Sequence, residues 1–250
     1  MAKNEILIKS KKRVQQHGEV FTPKNIVDAM VTLPGLDEQI LLPTTTVLEP
    51  SVGEGAFLSN ILQRRLNALA EQYPNDLGRI ENYGLLAISS LYGVELLEDN
   101  VKKCAINVYT VFHDFYLENC EKLNKEPKEN VLESAKTIVS INIVQGDFLK
   151  RFRADGSPIV FSEWQPVKLN ARTKNISVIR TEYSLDDIYR KVKRTAGTQF
   201  TSEPIHSQPS LFDAVPVEDT ESTQTPGTNF VYIPCPIVDV YKQEMEEAEL

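Results

Sequence analysis

Three carboxylates occupy comparable places along the chain: Glu49 in TTTVLEPSVGEGAFL, Glu95 in LYGVEL and Asp147 in INIVQGDFL. Each follows a short run of apolar and β-branched residues, and the first is followed by Gly53 and Gly55. Glycines so placed let the backbone turn sharply and approach a ligand closely. A helix starting there offers unpaired N–H groups and the positive end of its dipole. In a dinucleotide enzyme that end receives a pyrophosphate through G-x-G-x-x-G, but here the third glycine position is Leu58. Glu49 at the strand end would also repel a pyrophosphate. An acid there favours a ligand with a positive group, such as the amino and sulfonium groups of S-adenosylmethionine (AdoMet). A lone G-x-G is equally compatible with a plain tight turn between strand and helix.

The elements needed to position these groups can be read from periodicity. VFTPKNIVDAMVTL predicts a helix opening at Thr22-Pro23, with Ile26, Val27, Met30 and Val31 on one face. TTTVLEP predicts a buried strand that Pro50 stops. GAFLSNILQRRLNALAEQY has apolar residues at 57, 58, 61, 62, 66 and 69, a helix period. NYGLLAISS predicts another helix and LYGVEL a second strand. Asp99 is placed to cap a long helix whose stripe is Val101, Cys104, Ala105, Val108, Phe112 and Phe115. NVLESAKTIVS and INIVQGDFL add a helix and a third strand. Strands alternating with helices argue for an α/β fold on a parallel sheet, and such sheets bind ligands at the carboxyl ends of their strands. Glu49, Glu95 and Asp147 all fall at such ends.

Beyond Asp147 the character changes. SPIVFSEWQPVKL and ISVIRTEYSLDDIYRKVK predict a β-ribbon and a short helix. The resulting division is a polar leader at 1–20, the ligand-binding domain at 21–194, a disordered linker rich in Thr, Ser, Pro and acids at 195–229, and an extended tail at 230–250. The prolines of NFVYIPCPIVDVY make it a poor central strand.

The chain has 250 residues and a net charge of −8, so nucleic acid can approach only through a local basic patch or a basic partner. Lys9, Lys11, Lys12 and Arg13 form one basic cluster, and Arg190, Lys191, Lys193 and Arg194 form another. Both read first as solvated faces. Three scattered cysteines and three scattered histidines give no ligand spacing, so no metal site and no disulfide framework are expected. Neither a signal peptide nor an apolar span is evident, and a cytoplasmic setting is the default.

The stretch Glu49-Pro50-Ser51-Val52-Gly53-Glu54-Gly55-Ala56-Phe57 resembles motif I of the DNA amino-methyltransferases, acid-P-x-x-G-x-G-x-[FL]. Upstream, GEVFTP, with Phe21, Thr22 and Pro23, is similar to the segment that in adenine-N6 enzymes lies against the methionine end of AdoMet. Downstream, LYGVELLEDNV resembles motif II and NIVQGDFL resembles motif III. The resemblance covers residues 17 to 150 in the family's order. It implies a Rossmann-like AdoMet-dependent methyltransferase fold with AdoMet as cofactor. It also implies that Glu95 accepts from the ribose hydroxyls and that Asp147 accepts from the adenine amino group, with Phe148 against the ring. The Glu49-to-Glu95 spacing is longer than the roughly 20 residues usual for such an acid, and a helix at 81–90 would fill it.

One part of that pattern is missing. The family binds a flipped-out base with [DNS]-P-P-[YFW], and this sequence has no Pro-Pro, Asn-Pro or Asp-Pro pair. Trp164 in SEWQP reads as a packing residue, and no catalytic residue is assigned. The expectation is therefore an AdoMet-binding subunit of a DNA adenine-N6 methyltransferase of the restriction–modification type, its N-P-P-Y half carried by a partner chain. A non-catalytic AdoMet binder and a methyltransferase with a non-DNA substrate are the alternatives. In the linker, Gln208, Leu211 and Phe212 resemble the Q-L-[SD]-L-F peptide that docks on the bacterial sliding clamp, against the plainer reading that they pack on this domain or its partner.

Overall fold

The computed structural model describes residues 8–170, 172–201 and 230–247. Gln208, Leu211 and Phe212 lie outside the described residues.

The short helix α1 (Lys11–His17) is capped by the Ser10 side chain. Pro23 opens α2 (Lys24–Val31), its fixed φ suited to a helix start. Val27 and Val31 are buried, but Ile26 and Met30 are 44% and 47% exposed, so only half of the expected apolar face is used. One turn, α3 (Asp37–Ile40), leads to β1 (Val47–Glu49), then α4 (Ala56–Gln72), α5 (Leu77–Ser89) and β2 (Leu91–Glu95). The long α6 (Glu98–Lys122), α7 (Glu129–Asn142) and β3 (Ile143–Gln145) follow. Asp99 does not cap α6: the N-cap position is Leu97, and Asp99 stands in the first turn, where Lys9 and Arg13 hold it. The long Glu49-to-Glu95 spacing is taken up by α5, which begins four residues before the expected helix.

The three strands form a parallel sheet in the order β1-β2-β3, with Glu49 paired to Gly93 and Glu95 to Gln145. Side chains alternate between its faces. Val47, Leu91 and Ile143 join the helical core with Leu58, Leu62, Leu66, Phe112 and Ile138. Leu48, Tyr92, Val94 and Val144 point the other way, against Ile159, Phe161 and Leu185. Among the described residues β1 and β3 each pair on one side only.

That second face is covered by the expected ribbon. Strands β4 (Val160–Pro166) and β5 (Ser177–Ser184) pair antiparallel, and α8 (Leu185–Arg190) follows. Asn142 fastens the ribbon to the helices: it accepts from Trp164 Nε1 at 3.3 Å and donates to the Ser89 carbonyl at 3.1 Å. Trp164, 5% exposed, is thus a packing residue. The ribbon unit runs past residue 194, because Gly197 donates to Thr181 Oγ1 and Thr198 bridges Val231.

Residues 230–247 are more than an extended tail. They contribute β6 (Phe230–Tyr232), paired with β8 (Met245–Glu247), and β7 (Cys235–Pro236), which adds to the edge of β5. A 3-10 helix (Ile237–Lys242) then buries Ile237 and Val240 in the helical core. Pro236 sits in a strand of only two residues, as an edge position permits.

A buried arginine joins the layers. Arg65 of α4, 2% exposed, donates to the carbonyls of Ile40, Ala87 and Thr45 and to Ser90 Oγ, at 2.5 to 3.0 Å. Burial pushes its guanidinium down to about 10. No helix among the described residues is long and apolar enough to cross a membrane.

Candidate cofactor site

The loop between β1 and α4 is built around the end of β2. Val52 donates to the Val94 carbonyl at 3.0 Å, and the absence of a side chain at Gly93 lets Val52 settle there: a Cβ on Gly93 would come within 3.1 Å of it. The next amide, Gly53 N–H, donates to Glu95 Oε2 at 2.9 Å, while Glu95 Oε1 accepts from Leu97 N–H at 3.0 Å. Glu95 therefore ties the glycine loop to the start of α6. Each of its oxygens still has a lone pair beyond these bonds.

The two glycines have different jobs. Both take positive φ, +55° at Gly53 and +85° at Gly55. A Cβ on Gly55 would lie 2.7 Å from Cys104 Sγ, so this glycine lets α4 pack on α6. A Cβ on Gly53 would meet only the Phe21 ring, at 3.8 Å. Of the two, Gly53 has its missing side chain on the open side.

That open side is a cleft of about 530 Å³. Phe21 and Thr22 form one wall, the loop and Phe57 another, and Asn107, Thr110 and Val111 of α6 a third, with Glu49 inside. Asn107 Nδ2 donates to the Glu54 carbonyl at 2.8 Å and fixes the loop from that side. No ion pair or hydrogen bond engages the Glu49 carboxylate among the described residues, and burial pushes it up to about 7. Burial also pushes the nearby Cys104 thiol up to about 12, with Glu49 and Glu95 adding to the effect. Ser59, one turn into α4, lines the same cleft, and its Oγ has no hydrogen-bond partner.

Above the loop an ionic cluster holds the N-terminal segment. Lys9 Nζ reaches Glu54 at 2.9 Å and Asp99 at 3.1 Å. Arg13 pairs with Glu19 at 2.5 Å and with Asp99 at 3.0 Å, and Asn100 donates to Glu19. Hydrogen bonds from Arg13 hold Asp99 down to about 2 and Glu19 below the usual carboxylate range. The first basic cluster of the sequence thus contributes two of its cations to a strap that carries Phe21 to the cleft.

Phe21, Thr22, Glu49, Gly53, Gly55 and Phe57 are brought together as the sequence suggests; Pro23 and Pro50 flank the cleft without lining it. Glu95 stands behind the loop. Asp147 and Phe148 are not part of the cleft wall. Asp147 accepts from the amides of Lys150 and Leu149 and pairs with Lys150 Nζ at 3.2 Å, which holds it below the usual carboxylate range. Phe148 packs on the ribbon side of the sheet, 6.4 Å from the Tyr189 ring. Ser59, Asn107, Thr110 and Val111 carry no motif and were not legible, although Ser59 lies one turn beyond Gly55. No group of residues able to hold a metal ion occurs among the described residues.

The lining fits a ligand of AdoMet's character: an unpaired acid for a cationic group, an aromatic wall and a glycine open to close approach. Comparison with known proteins agrees in kind. A 184-residue alignment, 70% of this chain, is 28% identical to the type II methyltransferase M.PaeR7I of Pseudomonas aeruginosa. The chain spans 28% of that relative's length. No family model matches, and no solved structure matches. The mixed α/β architecture with its three-stranded parallel sheet fits a Rossmann-like methyltransferase fold.

Proposed function

We propose that this chain is the AdoMet-binding part of a DNA adenine-N6 methyltransferase of the restriction–modification type, whose target-base motif is supplied by a partner chain. The observation that carries the reading is the cleft beside Gly53, with the unpaired, largely buried carboxylate of Glu49 inside it. Bound AdoMet would supply the methyl group. Toward it, Glu49 would face the cationic groups, Phe21 and Thr22 would close the outer wall, and the Gly53 backbone would leave room for close approach. Glu95 would keep the loop in place and could accept from the ribose hydroxyls with its remaining lone pairs. Asp147 and Phe148 could reach the adenine only beyond the cleft as it stands.

The partner enters the reading through the sheet. A doubly wound sheet has the strand order 3-2-1-4-5-6 and binds its ligand where the order reverses, beside strand 1. The described sheet holds β3-β2-β1 and stops at that place. The sequence also lacks Pro-Pro, Asn-Pro and Asp-Pro. A partner strand on the open edge of β1 would complete the sheet and bring the base-binding motif to the cleft.

Calorimetric titration with AdoMet tests the cofactor half of this reading: saturable binding is expected, and no heat at millimolar AdoMet would refute it. Methyl transfer to DNA is expected only with an N-P-P-Y partner present. Transfer at ordinary enzyme rates by the chain alone would refute the split arrangement. Transfer to a non-DNA acceptor would instead favour a different substrate.

A further inference from the structure

The charge of this chain is unevenly distributed. Residues 150–194 contain eleven Lys and Arg against five Asp and Glu, a net of +6 inside a chain of net −8. Five of these cations are engaged: Lys150, Arg151, Lys174, Arg180 and Arg194 each pair with an acid. Arg190, Lys191 and Lys193, adjacent on one short arm, form no ion pair with any described residue and are exposed.

The arm is held rigidly. Ser184 and Asp187 form a capping box that opens α8. Lys191 ends the helix in the left-handed conformation, φ +56°, donating to the Ile188 carbonyl. Val192 N–H returns to the Asp187 carbonyl at 2.9 Å, and the Asp187 carboxylate grips Arg194 at 2.9 Å. Arg194 is thus the anchor, stacked 5.1 Å from the Phe200 ring, and its neighbours are left facing solvent. Charges fixed in place bind with less ordering cost than charges on a free tail.

Beside the arm runs a groove of about 620 Å³. Lys191 and Lys193 stand on one wall, Glu163 and Gln165 of β4 on another, and Leu48 and Tyr92 in the floor. Leu48 is the strand neighbour of Glu49, so the groove and the cofactor cleft lie on opposite faces of β1 at adjacent residues. The remainder of the chain is strongly acidic and repels a polyanion on average, so one is drawn toward a local excess of cations such as this arm. A nucleic acid suits both walls of the groove: phosphates ride on Lys191 and Lys193, while Gln165 and Glu163 offer hydrogen-bonding groups toward base edges.

We propose that the Arg190–Lys193 arm is a contact site for the phosphodiester backbone of duplex nucleic acid, seated along the Lys191–Gln165 groove. The proposal rests on the methyltransferase reading only for why such a ligand should be there. The test is binding of the purified chain to a short DNA duplex and to an RNA duplex of matching sequence, as a function of salt. Three neutralised phosphates give wild-type protein a loss of affinity between about 50 and 200 mM salt that is about 40-fold greater than in the triple variant Arg190→Gln, Lys191→Gln, Lys193→Gln. The charge-conserving set Arg190→Lys, Lys191→Arg, Lys193→Arg should retain the wild-type salt dependence, which separates charge from folding. Glu163→Ala should alter preference among DNA sequences without changing the salt slope.

Wild-type binding to neither duplex at low salt would overturn the proposal. So would binding with an unchanged slope in the triple variant, or tighter binding of a polyglutamate peptide than of either duplex. The DNA and RNA arms identify which backbone is the natural one. AdoMet titration of the same samples keeps the two readings apart: arm-dependent duplex binding without AdoMet binding would sink the cofactor assignment and leave this site standing, and the reverse result would do the opposite.

Discussion

Replacing Glu49 by Gln should stabilise the ligand-free protein, and only above a defined pH. Burial pushes the Glu49 carboxyl up to about 7 from an ordinary 4.5. One pKa unit is about 1.4 kcal/mol, so the ionised side chain costs the folded state at most about 3 kcal/mol. The sign follows from protons bound. Below the unfolded value of 4.5 the group is protonated in both states and costs nothing. Between 4.5 and about 7 the folded state holds a proton that the unfolded state has lost, so stability falls as pH rises. Above about 7 the group is ionised in both states and the full cost is present. Gln has the same shape and no charge to bury. Urea unfolding at several pH values should therefore show wild-type and Glu49→Gln converging near pH 4.5 and diverging to a plateau above pH 7, the variant being more stable by up to about 3 kcal/mol. AdoMet binding by the variant should be weakened at the same time. A pH-independent difference, or a variant less stable at pH 8, would refute the view that Glu49 is a buried charge without a partner.

Gly55→Ala should destabilise the protein by about 1 to 3 kcal/mol, because its Cβ would collide with Cys104; thermal unfolding should show Gly55→Ala with Cys104→Ala recovering part of the loss. Gly53→Ala has no such neighbour, so its stability cost should be that of the left-handed backbone alone, about 1 kcal/mol, while AdoMet affinity is lost, as thermal unfolding and calorimetry would show. Glu95→Ala leaves the Gly53 and Leu97 amides without their acceptor, costing about 1 to 3 kcal/mol in urea unfolding. Arg65→Met strands several buried carbonyls and should cost about 3 kcal/mol, with no effect on any pH profile near 7.

Much of the α/β frame was legible because its signals are local. The helix period of residues 57–69 and the stop at Pro50 depend on nearby residues only, and the structure has α4 and β1 there. The Thr22-Pro23 helix start was legible for the same reason. What failed depended on distant partners. Asp99 looks like a cap in sequence, but Lys9 and Arg13 from ninety and eighty-six residues away claim it. Ile26 and Met30 carry the right spacing for burial, yet the described residues leave them 44% and 47% exposed. The tail at 230–247 reads as a weak strand, and its burial follows only from the gap that α5, α7 and the ribbon leave for Ile237 and Val240.

The site divides the same way. Glu49, Gly53, Gly55 and the Phe21-Thr22 pair could be found because glycine and acid spacing is written in one short stretch. Gly55 serves helix packing more than ligand space, a distinction that needed the position of Cys104. Ser59 and Asn107 are ordinary helix residues until the fold turns them toward the same cleft.

The most direct test of the central claim is calorimetric titration of the purified chain with AdoMet at pH 7, repeated in buffers of different ionisation enthalpy. If a cationic ligand binds beside Glu49, the carboxyl loses its proton on binding. A group poised at about 7 should release roughly half a proton per AdoMet at that pH, and little at pH 8.5. Glu49→Gln should abolish the release. Absence of binding at millimolar AdoMet, or binding with no proton release that Glu49→Gln leaves unchanged, would contradict the assignment of this cleft.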